Sequence, residues 1–193
     1  MSIQVNLGIQ IGSAKPQITK NISVDEVEKI VEKASGELAM RLKISHTRLD
    51  AIQKEVTTNA DLAVEYFQLK QREASRDELL EADLANYAGD DVIKRIEQYH
   101  RYSDVGSVLL YQHENFKGKS KFFTVTWPNF KWPPYCFNDT ASSAKAWGAN
   151  IIFQNTWYGG RRLYLIGLPY FEANDLGQMF DFNDRASSFA SIP

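Results

Sequence analysis

The chain has 193 residues, 44% of them hydrophobic and 12% aromatic, enough apolar side chain for one or two soluble domains with packed cores. A net charge of −2 gives no bulk attraction to nucleic acid, and no apolar run approaches the ~18 residues of a membrane-spanning helix. Cys136 is the only cysteine, which excludes an intramolecular disulfide.

The N-terminus lacks the basic start and unbroken apolar stretch of a secretory signal and leaves localisation open. Ile3, Val5, Leu7, Ile9 and Ile11 alternate with Gln4, Asn6, Gly8 and Gln10, the period-two pattern of a half-buried strand. Helical sequence follows, so this strand must pair with the rest of the chain, a second copy or a partner's sheet edge. Ser23-Val-Asp-Glu26 is a capping box that opens a helix. Val27, Val31, Ala34, Leu38, Leu42, Leu49, Ile52 and Val56 continue it at intervals of three, four or seven, a narrow stripe with charged flanks. Such a stripe suits a coiled-coil seam, a slender hairpin or an ordinary intrachain bundle. Leu62, Tyr66 and Leu69 extend an apolar face, Ser75-Arg-Asp-Glu78 is a second capping box, and Val92, Ile93, Ile96 and Tyr99 form a last short helix. Tyr102–Gly106 then reads as a linker.

Beyond it the pattern changes and repeats. Tyr111-Gln-His-Glu-Asn-Phe116-Lys-Gly118 and Phe153-Gln-Asn-Thr-Trp-Tyr158-Gly-Gly160 both read aromatic-x-x-x-x-aromatic-x-Gly. Each is followed downstream by Asn-Asp-x-Ala-Ser-Ser, at 138–143 and at 183–188. Short β-rich runs, Val108–Tyr111, Phe122–Thr126, Ile151–Phe153 and Leu163–Ile166, sit at matched places in the two copies. Two units of four short antiparallel strands can bury one shared core as a sandwich.

This doubled, ordered signature resembles the βγ-crystallin family in its microbial calcium-binding form, over about residues 105–193. The fold class expected is α+β: an N-terminal strand and helical, coiled-coil-like region at 1–102, then an all-β Greek-key sandwich at 103–193. The resemblance implies two Ca²⁺ sites clamped reciprocally by the two hexapeptide loops. One ion would take the carbonyl of Thr140, the hydroxyl of Ser142 and the carboxylate of Asp184. The other would take the carbonyl of Arg185, the hydroxyl of Ser187 and the carboxylate of Asp139. Carbonyls near Gln112 and Gln154 would complete the shells with water. Arg185 departs from the pattern, because its guanidinium opposes a nearby cation.

The residue chemistry agrees independently. Carboxylates, hydroxyls and loop carbonyls are the hard oxygen donors that calcium takes, six to eight at ~2.3–2.6 Å. Neither loop holds the Cys or His that zinc prefers. About one carboxylate per site sets affinity in the micromolar-to-millimolar range. As plain turn formers, Asn, Asp and Ser would also suit these loops without an ion.

Catalytic signatures are missing from the sequence: no Gly-x-Ser-x-Gly, phosphate loop or dinucleotide fingerprint occurs. His46 reads as lying on the polar side of a helix, His100 in a basic helix end and His113 in the first aromatic turn. A His113–Cys136 dyad lacks any local signature, and Cys136 reads as a packed small residue. Trp127-Pro-Asn-Phe-Lys-Trp132-Pro-Pro-Tyr135 is an aromatic loop that either packs over the core or stacks on a glycan. The expectation is thus a non-enzymatic, calcium-binding structural protein whose N-terminal half self-associates or attaches to a larger assembly. Adhesion through the sandwich, to glycan or protein, is the alternative, and a secreted toxin or enzyme inhibitor a further one.

Overall fold

The computed structural model describes residues 3–58, 106–124, 126–131 and 135–192. The second capping box, the helical patterns at 62–99, the junction drawn at 102–103 and Trp132 lie outside them.

The C-terminal part builds the expected Greek keys by bending two long strands. The strands are β3 (Ser107–His113), β4 (Lys117–Phe123), β5 (Ser143–Phe153), β6 (Arg162–Ala173) and β7 (Ser188–Ile192). The first half of β5 pairs with β3 and with the end of β6, and its second half pairs with the start of β6 and with β7. The register shift at Trp147/Gly148 marks the corner. One hydrogen-bonded ladder therefore folds into two layers. The expected separate short strands fuse there because Gly148, at φ 65°, lets the chain turn without leaving the sheet. Trp127 bridges to Phe189, so each motif lends a segment to the other's layer.

Strand alternation divides the side chains cleanly. Val108, Leu110, Phe123, Ile152, Leu163, Leu165 and Phe189 point between the layers. Ile151, Phe153, Tyr164, Ile166 and Ile192 point out of the second layer into a separate core. The aromatic loop folds onto the first core: Trp127 and Phe130 are fully buried, and Phe123 stacks on Phe130 and Tyr135 with centroids 4.3 and 4.4 Å apart. Of the two readings of that loop, packing is the one its described residues show.

The N-terminal strand finds its partner within the chain. β1 (Gln4–Ile11) runs parallel to β6, from Val5 opposite Arg162 to Ile11 opposite Leu168. On its far side it pairs with β2 (Gln17–Ser23), a strand that the sequence analysis does not assign. The hairpin widens the second layer to β7-β5-β6-β1-β2. Val5, Leu7 and Ile9 join the outer core as the alternation requires, while Ile3 and Ile11 at the ends stay exposed.

α1 (Val24–Ala34) begins at Ser23 with both capping-box bonds in place: Glu26 N donates to Ser23 Oγ at 3.3 Å and Ser23 N to Glu26 Oε2 at 2.8 Å. Such a cap is worth ~1 kcal/mol. α2 (Gly36–Thr58) follows after a break at Ser35. In place of a coiled-coil seam, Val27, Val31, Leu42 and Leu49 are buried in the outer core beside Ile151, Tyr164 and Ile166. The stripe is narrow because it faces a sheet it shares with β1. The architecture is a sheet-rich Greek-key sandwich with a hairpin and two helices laid over one layer.

Candidate metal centre

The site is assembled from two aromatic turns and two hexapeptide loops. In the first turn Asn115 and Phe116 hold φ values of 55° and 60°, and in the second Trp157 and Tyr158 hold 59° and 61°. Consecutive left-handed residues other than glycine are strained, so something must hold them. The second serine of each hexapeptide does this. Ser143 Oγ accepts from Phe116 N at 3.0 Å and donates to His113 O at 2.6 Å. Ser188 Oγ accepts from Tyr158 N at 3.1 Å and donates to Asn155 O at 2.7 Å. The spacing of the aromatics is explained as well: Tyr111 meets Phe116 edge-on at 5.6 Å, and Phe153 meets Tyr158 at 5.5 Å. The closing glycines sit at φ 80° and 74°, and a Cβ on Gly118 would lie 2.6 Å from the His113 ring. Ser143 and Ser188 are absent from the expected ligand set, and the doubling of the serine is the signal for their role.

The first serine of each hexapeptide points into the other loop's territory. Ser142 Oγ donates to Gln112 O at 2.8 Å and lies 3.4 Å from Asp184 Oδ1. Ser187 Oγ donates to Asp139 Oδ1 at 2.9 Å. The backbones are crossed in the same way: Asp139 N donates to Ala186 O at 2.9 Å and Asp184 N to Ala141 O at 3.0 Å. Both aspartates are left-handed, at φ 52° and 50°, where Asp is better tolerated than most residues.

The structure thus brings Gln112, Ser142 and Asp184 together at one place. At the other, Gln154, Asp139, Ser187 and Arg185 line a cavity of about 420 Å³ that also meets Asp184, Asn138, Asn155, Thr156 and Lys131. Thr140 lies in the first loop, its hydroxyl donating back to Phe137 O at 2.8 Å. Asn138 and Asn183 brace their loops by donating to the neighbouring aspartates Asp139 and Asp184. The Arg185 guanidinium reaches Asp181 at 3.9 Å, and Arg161 grips the same carboxylate at 2.8 Å. Arg161's hydrogen bond and then Arg185's charge hold Asp181 below the usual carboxylate range. Asp181 therefore offsets part of the positive charge that Arg185 brings to the cavity.

These residues fit a hard cation. Two oxygens ligating one ion at ~2.3–2.6 Å stand about 3 Å apart, as the Ser187–Asp139 and Ser142–Asp184 pairs do. Asn138 Oδ1, beside the cavity, is shielded from solvent with no hydrogen-bond partner among the described residues. No three His, Cys, Asp or Glu side chains converge among those residues, so carbonyls, hydroxyls and water must supply most of any shell.

Two sequence expectations outside the loops need correction. His46 is buried, 6% exposed, because it lies between Leu42 and Leu49 on the sheet-facing side of α2. Cys136 is exposed, because the chain turns outward at φ 44° between the buried Tyr135 and Phe137.

No model of a known protein family matches the chain, and no curated protein matches it. Solved structures do. A βγ-crystallin from an archaeon is 30% identical, with 45% of this chain covering 98% of that one at a TM-score of 0.39. Spherulin 3A from Physarum polycephalum is 29% identical, over 45% of this chain and 82% of that one, at a TM-score of 0.36. A βγ-crystallin from Ciona intestinalis is 21% identical, over 44% and 96%, at a TM-score of 0.39. The matched structures are βγ-crystallin domains, each spanning a little under half of this chain, and both halves of the doubled signature stand in order in the region they cover.

Proposed function

We propose that the chain is a non-enzymatic, calcium-binding structural protein. The observation that carries this reading is the reciprocal crossing of the loops, Ser187 onto Asp139 and Ser142 onto Asp184. Each aspartate is delivered by one Greek key to the serine of the other, so an ion bound at either place ties the two motifs together. One ion takes the Gln112 and Thr140 carbonyls, the Ser142 hydroxyl and the Asp184 carboxylate. The other takes the Gln154 and Arg185 carbonyls, the Ser187 hydroxyl and the Asp139 carboxylate. Both sites lie between the motifs, where an ion opposes their separation on unfolding. At a hundredfold excess over its dissociation constant each ion stabilises the fold by ~2.7 kcal/mol. Melting the full chain in calcium and in chelator tests this: the midpoint is expected to rise with calcium by several degrees, and equal midpoints count against it.

Self-association through the N-terminal half is a second reading. The sheet takes up Val27, Val31, Leu42 and Leu49, but Met40 and Ile44 stand 60% and 62% exposed on successive turns of α2. On this reading light scattering of the full chain gives at least twice the monomer mass, and Ile44→Lys returns it to monomer. A wild-type monomer removes the reading. Adhesion through the aromatic loop finds less support, since Trp127 is fully buried.

A further inference from the structure

We infer that His46 is an acid-released latch: as a neutral ring it fastens α2 to β6 through Arg162 and Tyr164, and protonation frees α2 from the sheet. Arg162 Nη1 stands 2.9 Å from His46 Nδ1. A guanidinium only donates, so Nδ1 must carry its lone pair. The ring hydrogen is then on Nε2, which contacts the Tyr164 hydroxyl. The other arm of Arg162 donates to Asp50 Oδ1 at 2.8 Å, and its guanidinium lies 5.6 Å from the Phe153 ring. His46, Arg162 and Tyr164 are 6%, 5% and 0% exposed, so water does not substitute for a lost partner.

The charged surroundings offer the imidazolium little. On α2, Asp50 is the near carboxylate, half exposed and already bound by Arg162. From β6 the facing groups are Arg162 and Tyr164, and from α1 Glu28 acts on Tyr164. β1 and β7 carry no ionisable side chain, and β5 contributes the Phe153 ring. Protonating Nδ1 would set two N–H donors and two positive charges 2.9 Å apart with no acceptor between them. Leu42 and Leu49, next to His46 on the same helix face, would leave the outer core together with it.

Burial first, and Arg162 second, lower His46 from 6.5 to about 4. Because the folded value is depressed, the latch contributes fully above pH 6.5. Its contribution falls as pH drops below that value and is gone by about pH 4.

Hydrogen exchange of the full chain at pH 7 and pH 4.5 tests this, with each amide corrected for its intrinsic rate. Protection across 39–50 is expected to fall about fiftyfold, while the β5 and β6 amides keep theirs. His46→Asn keeps an acceptor for Arg162 but cannot be protonated there, and its α2 protection is expected to stay level. Unchanged wild-type protection at pH 4.5, an equal loss in His46→Asn, or simultaneous loss from every element overturns the proposal. If His46→Asn does not fold, the wild-type ring decides by NMR. A midpoint near 4 with α2 protection falling progressively below pH 6.5 supports the latch, and a midpoint near 6.5 or α2 protection that stays level overturns it.

Discussion

Asp139→Asn is expected to remove one of two calcium-binding events and about half of the stabilisation that calcium confers. Asn keeps the size of the side chain and still offers Ser187 Oγ an acceptor but loses the bond from Asn138 Nδ2, so the calcium-free fold should lose no more than ~1 kcal/mol. What is lost is the carboxylate that Ser187 meets, the one the proposed second ion would take. The ion proposed for Asp184, Ser142 and Gln112 should remain, because Asp139 meets Ser187, at 2.9 Å, and not Ser142. With both sites near saturation, calcium contributes ~5 kcal/mol to the wild type and ~2.7 kcal/mol to the variant. Asp184→Asn should give the mirror result. Denaturant melts with and without calcium read both numbers. If Asp139→Asn keeps the full calcium effect, the reciprocal assignment is wrong.

Phe123→Ala should cost ~3–5 kcal/mol with or without calcium, the usual range for emptying a phenylalanine site in a packed core. Phe123 is fully buried at the centre of the inter-layer core, within 4.4 Å of the ring centroids of both Phe130 and Tyr135 and 5.8 Å from Phe189. Those rings come from the aromatic loop and from β7, so the cavity loosens the contact between motifs at several points. The midpoint of thermal melting should fall by about 10 °C. A loss under ~1 kcal/mol would mean that the loop collapses into the gap, and that its packing contributes little.

The features legible in the sequence were those with a local chemical cause. The Ser23–Glu26 capping box appears with both its bonds, since all its atoms lie within one turn. The doubled aromatic turn and hexapeptide led to the residues that now stand together, because both halves of the pattern recur in the same order. What was not legible depended on distant partners. β1 pairs in parallel with β6, some 157 residues further on, and no spacing within residues 3–11 names that partner. β2 carries Gln, Thr, Lys and Asn among its few apolar residues and lies at the sheet edge, largely exposed, so it shows no clear alternation. The expected self-associating seam was an inference from a narrow stripe, and the stripe has the same width when the neighbour is a sheet.

His46 is the instructive miss. Leu42, His46 and Leu49 follow one another at intervals of four and three, the spacing of a single helix face. A histidine is easily assigned to the polar side by type, yet its position placed it among the leucines. The Arg162 and Tyr164 that satisfy it lie over a hundred residues away on β6, which is why its partners could not be read locally.

Isothermal titration of calcium into the full 193-residue chain, stripped of metal beforehand, tests the central claim most directly. Two ions per chain are expected, bound in the micromolar-to-millimolar range, with one lost in each of Asp139→Asn and Asp184→Asn. No binding at millimolar calcium by a chain that melts cooperatively, or two ions bound undiminished in both variants, would contradict it.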